Sequence, residues 1–125
     1  MKTHLFLLSL AIGILSSTNS FAVHQMTKVV KKNTPTLMTD QFNCAGGKVD
    51  AQVVSAPNNG KISTFISRQA VNKNKLKATS VSCEGKVVDI LFVRYTPNKN
   101  YVGPDSFTIQ WSPNGGTRTY SFTVQ

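Results

Sequence analysis

Between Tyr95 and Trp111 the chain reads YTPNKNYVGPDSFTIQW, and this stretch limits the fold more than any other. An aromatic strand end meets a Pro-Asn turn and a Val-Gly-Pro-Asp corner. After the corner, Phe107, Ile109 and Trp111 alternate with polar residues. A period of two describes a β-strand with one buried face, because successive side chains point to opposite sides of the backbone.

The same grammar recurs along the chain. Gly46-Gly47 marks a turn, and Lys48 to Ser55 predicts a strand whose apolar content is Val49, Val53 and Val54. Ala56-Pro57-Asn58-Asn59-Gly60 is a strong turn signal, and Lys61 to Ile66 alternates again. This pair predicts a hairpin or a tight strand-to-strand corner. Lys86 to Tyr95 is the most apolar segment and carries hydrophobic residues at both parities. Such a strand is central and covered on two sides, or it leaves Val88, Ile90 and Phe92 as a face that binds something. Asp105 to Trp111 and Thr117 to Val124 flank a hairpin turn, Ser112 to Gly116. Between the strands, Ser67 to Ser82 is polar and basic and is expected to be a long loop tied down at Cys83. With no helical period anywhere, the expected class is all-β, an antiparallel sandwich of about seven strands.

The N-terminus predicts an address. Lys2, the apolar run Leu5 to Leu15 and the small-x-small triplet Ser20-Phe21-Ala22 fit a signal peptide over residues 1–22. The apolar run is too short to span a bilayer, so no membrane span is expected once it is cleaved. Residues 23–43 follow as a disordered arm or an edge strand guarded by Lys28, Lys31, Lys32 and Pro35. Residues 44–125 form the domain. The expected location is the periplasm or the exterior, where Cys44 and Cys83 pair as a disulfide. For a chain this short, closing that loop contributes about 4 kcal/mol in the chain-entropy model.

The series Pro57-Asn58-Asn59-Gly60-Lys61-Ile62 followed by Tyr95-Thr96-Pro97-Asn98, Tyr101, Gly103 and Asp105-Ser106-Phe107 resembles the bacterial Ig-like, cadherin-like domains of exported proteins. The resemblance covers roughly residues 53–66 and 87–125, in a single copy. It implies an Ig-like β-sandwich and a binding or structural role. Tyr95, Pro97, Tyr101, Gly103, Asp105 and Phe107 are then fold-determining corner residues. Pro97 ends a strand by withdrawing a donor, Gly103 permits a tight bend, and Asp105 and Ser106 can accept from nearby backbone amides.

Catalytic constellations are wanting in the sequence. Beyond residue 22 the only histidine is His24, so an imidazole base for a triad has one source. The five acids, Asp40, Asp50, Glu84, Asp89 and Asp105, show neither a paired-carboxylate pattern nor a calcium-loop spacing. The expectation is a protein that is not an enzyme and takes no metal or cofactor. Fourteen Lys and Arg against five acids make the chain strongly basic, with a formal net charge of +9. That surplus suits a polyanion such as lipopolysaccharide, an acidic glycan or nucleic acid, and it also simply favours solubility. Arg68, Lys73, Lys75 and Lys77 are the candidate binding surface. The expected partner is an envelope or surface protein, with a polyanion as the alternative.

Overall fold

A computed structural model of the chain describes residues 23–25, 29–72, 83–113 and 115–125. The segment expected to be a signal peptide lies outside these residues. The elements are β1 (Val23–Gln25), β2 (Thr36–Phe42), β3 (Asp50–Ser55), β4 (Gly60–Ala70), β5 (Val87–Pro97), β6 (Gly103–Ser112) and β7 (Gly116–Val124). No α-helix occurs among the described residues.

Six strands build two antiparallel sheets of three, β3-β6-β7 and β2-β5-β4. The expectation of about seven antiparallel strands is corrected by β1. It is only three residues long and runs parallel along β7, as does the single bridge between Val30 and Val124. Within 23–43, residues 36–42 take the edge-strand alternative, so the second sheet begins before Cys44.

Period-two patterning delivers the core. Phe107, Ile109 and Trp111 of β6 and Tyr120, Phe122 and Val124 of β7 meet Leu91, Val93 and Tyr95 of β5 and Met38 of β2 across the space between the sheets. Fully burying side chains of this size contributes about 1.5–3 kcal/mol each, which makes this layer the main source of stability. The aromatic members pack in favoured geometries. Tyr95 meets Phe122 edge-on at 4.7 Å, and Phe107 stacks on Tyr120 at 5.1 Å.

The largest shift of a predicted boundary is in β4. The strand expected to stop at Ile66 continues to Ala70, because every residue from Gly60 to Ala70 keeps its register with β5. Ser67 to Ala70 therefore belong to a strand, and the connecting segment starts at Val71. The Pro-Asn-Asn stretch joins β3 of one sheet to β4 of the other, so of the two alternatives it is an inter-sheet corner and not a hairpin.

Candidate functional site

The corner is organised on one carboxyl group. Asp105 opens β6 nearly buried, at 8% exposure. Its Oδ1 accepts from the backbone amides of Asn58 at 3.1 Å and Ser106 at 2.9 Å. Its Oδ2 accepts from the amide of Asn59 at 3.1 Å and from the Tyr95 hydroxyl at 2.7 Å. The backbone of the β3–β4 corner, β5 and β6 thus converge on a single acceptor. Burial first, and then the hydrogen bond to Asp105, push the Tyr95 phenol well above its ordinary value of 10.0.

Backbone geometry around this centre leaves little room. A Cβ on Gly60 would lie 2.3 Å from Tyr95 Cε2 and 2.7 Å from the Thr96 carbonyl oxygen, so only glycine lets the Tyr95 ring lie on the strand. Gly103 sits at φ +140°, where L side chains are strained. Tyr101 donates its hydroxyl to the Pro104 carbonyl, and its amide donates to Asn98 at 3.0 Å. Pro97 is buried at the end of β5. With both carboxyl oxygens of Asp105 engaged, this cluster acts as a clamp on the chain's own backbone.

Of the candidate basic surface, Lys73, Lys75 and Lys77 lie outside the described residues. Arg68 stands on β4 directly across from Asp89 on β5, with Nη1 3.1 Å from Oδ1. Both side chains are more than half exposed, so the pair contributes about 0–1 kcal/mol. Its consequence is electrostatic: Asp89 offsets the charge that Arg68 was expected to offer.

The face offered by Val88, Ile90 and Phe92 needs a larger correction. These residues are buried, at 2%, 0% and 8% exposure, in a second apolar cluster with Val71 and Cys83. Phe42, Cys44 and Phe65 pack against its margin, Phe65 stacks on Phe92 at 5.2 Å, and the Arg94 guanidinium lies 4.7 Å over the Phe65 ring. The chain covers this side of β5 with its own residues, so the two-sided alternative applies and the free binding face does not. The disulfide between Cys44 and Cys83, with Cα atoms 5.4 Å apart, sits at the margin of the cluster. Backbone bonds from Val71 N to Lys86 O and from Gly85 N to Val71 O draw together the two ends of the connecting segment.

What the sequence did not single out is the side of the molecule between β3 and β4, the outer strands of the two sheets. There a cleft of about 310 Å³ opens between residues 46–49 and the inner face of the β4–β5 ribbon, at Ile66, Asp89 and Leu91. Ile66 points toward the opposing sheet and is still 54% exposed. Val53 and Val54 on β3 are exposed as well. The alternation of Ile62, Thr64 and Ile66 was the available signal, but it does not distinguish the core-packed Ile62 from the exposed Ile66.

Among the described residues, no group of three His, Cys, Asp or Glu could hold a metal ion, and no helix is long and apolar enough to cross a membrane. A disulfide accords with an oxidising compartment outside the cytoplasm. No family model, no curated protein and no solved structure matches the chain.

Proposed function

We propose that the chain is an exported, Ig-like module that engages a protein partner in the cell envelope, in the periplasm or at the exterior, without catalysing a reaction. Strand order supports the Ig-like part. The order β2-β5-β4 in one sheet and β3-β6-β7 in the other, with β1 parallel to β7, follows the B-E-D and C-F-G arrangement of that fold. The disulfide departs from the antibody pattern, since it ties the ends of neighbouring strands of one sheet.

The observation that carries the partner-binding reading is the open side between β3 and β4, with Val54 exposed on β3 and Ile66 exposed in a cleft whose lining combines Val49 and Leu91 with Lys48 and Asp89. The polar constellation at Asp105 is consumed by the fold itself, which leaves the exposed surface, this side included, to meet a partner. Photo-crosslinking from position 66 or 54 in intact envelopes checks it. A discrete adduct from these positions, absent from a probe at the exposed position Thr123, is the expected result. Equal labelling from all three, or none, counts against it.

The net charge of +9 supports a second reading, binding of a polyanion through Lys73, Lys75 and Lys77. In that case retention on heparin falls steeply with salt and is lost when the three lysines become glutamate.

A further inference from the structure

An unpaired strand edge exposes a row of amide donors and carbonyl acceptors, and proteins usually interrupt such rows. Here two of the outer strands are interrupted. The register of β2 slips between Leu37 and Thr39, and that of β3 slips between Val53 and Ser55. β7 is lined by β1. β4 differs: it pairs with β5 without a break from Gly60 to Ala70, contains no proline, and carries only Lys61 and Arg68 as charges. Bulges are the usual means of turning an edge away from other chains, and β4 has none.

The phase of that edge can be worked out. The ladder runs on at both ends into hydrogen bonds from Asn98 N to Asn59 O and from Val71 N to Lys86 O. Antiparallel partners alternate between bonded and non-bonded pairs, so the odd-numbered residues between these two exchange bonds with β5. The even-numbered residues, Ile62, Thr64, Ile66 and Arg68, therefore turn their N–H and C=O groups outward. These are also the residues whose side chains face the other sheet, since Ile62 packs on the main core and Phe65 on the second cluster. A strand added beside them sends alternate side chains toward the cleft at Ile66 and Leu91.

We infer that the outer edge of β4, which pairs with no other strand among the described residues, accepts an extended segment of an acidic partner protein as a fourth strand of the β2-β5-β4 sheet, with one apolar side chain seated in the cleft beside Ile66. This rests on the partner-binding reading above and names its chemistry. The edge offers donors and acceptors in alternation, which another peptide backbone satisfies and a row of phosphates or sulfates does not. Charge selects the partner. Two copies of a chain with net charge +9 repel, whereas an acidic segment is attracted to Lys61 and the cleft-lining Lys48, Arg68 being already paired with Asp89.

The probe is a capped synthetic peptide of about ten residues alternating valine with glutamate, titrated into the isotopically labelled, disulfide-intact protein under amide exchange. The expected result is protection of the Ile62, Thr64, Ile66 and Arg68 amides rising about tenfold or more at saturation, with their odd-numbered neighbours little changed. Thr64→Pro removes one outward donor and no bond to β5, and it abolishes the effect. Should that variant fold poorly, Ile66→Glu keeps every backbone donor, places a like charge at the cleft, and weakens binding about tenfold or more. Four results overturn the inference: no binding, equal binding of a valine–lysine peptide, shifts at lysines without protection of these amides, or protection that grows with protein concentration alone, which marks a second copy. If this edge stays silent while crosslinks still form from position 54, the partner reading survives and the strand-addition inference falls.

Discussion

The two ends of this domain are closed by different chemistry. At the Tyr95 end, four hydrogen bonds converge on Asp105 and join the inter-sheet corner, β5 and β6, so the two sheets are clamped to each other. At the opposite end the covalent bond from Cys44 to Cys83 ties the margins of one sheet and leaves the cleft beside residues 46–49 open. The bond that looks strongest joins neighbours that already share a sheet. The weaker, shared acceptor is the one that bridges layers. A small domain can therefore be rigid at one end and accessible at the other without any change of secondary structure.

That contrast can be broken most forcefully at Asp105. Asp105→Ala leaves three backbone amides without their acceptor and the Tyr95 hydroxyl with only the Asn59 carbonyl, 3.2 Å away. At about 1–3 kcal/mol for each orphaned donor, discounted for water that reaches a site of 8% exposure, the expected loss is about 5 kcal/mol. Urea unfolding monitored by Trp111 fluorescence measures it, and a loss below about 2 kcal/mol would remove the clamp from the account.

Replacing both Cys44 and Cys83 with alanine ranks next, at about 4 kcal/mol for a sequence separation of 39 residues. The comparison is sharpened by where the damage falls. Amide exchange should quicken first at Val88 and Ile90 and around the cleft, while Tyr95 and Phe107 keep their protection. Uniform acceleration across both ends would mean that the ends are not independent.

The smallest effect comes from Tyr95→Phe, about 1–2 kcal/mol for one buried hydroxyl hydrogen bond. It also carries a pH signature. The unfolded chain ionises this tyrosine near 10.0, whereas the folded chain retains the proton to higher pH. The stabilisation is thus complete below pH 10 and is lost as pH rises beyond it. Melting temperatures of the parent chain should fall more steeply between pH 9.5 and 11 than those of Tyr95→Phe, and parallel curves would contradict the assigned role.

Much of the architecture was legible because local pattern and burial agree. Phe107, Ile109 and Trp111 announce β6, and Asp105 beside a glycine corner announces a side chain that caps backbone amides. The disulfide followed from the expected compartment and the count of sulfurs. The reach of β4 was not legible, because Ser67 to Ala70 are polar and become strand only through the register that β5 imposes. Nor was the cover over Val88 and Ile90, which comes from Phe42 and Val71, far away along the chain. The candidate site was the least legible part. Arg68 finds Asp89 only through strand pairing, and the cleft draws its lining from residues 46–49, β4 and β5, a property of no single residue.

β5 serves two apolar layers, and this has a consequence before folding is complete. The run Val87 to Val93 has one charge, Asp89, no proline and no glycine, which is the composition of segments that stack into intermolecular sheets. In the native molecule Leu91 and Val93 are covered by the opposing sheet, and Val88, Ile90 and Phe92 by Phe42, Val71 and the sulfurs, while Val87 stays exposed. During synthesis, or under reducing conditions, the second cover lacks its covalent anchor and the run is exposed to other nascent chains. Oxidation therefore does more than add stability: it shortens the interval in which this strand is an aggregation hazard.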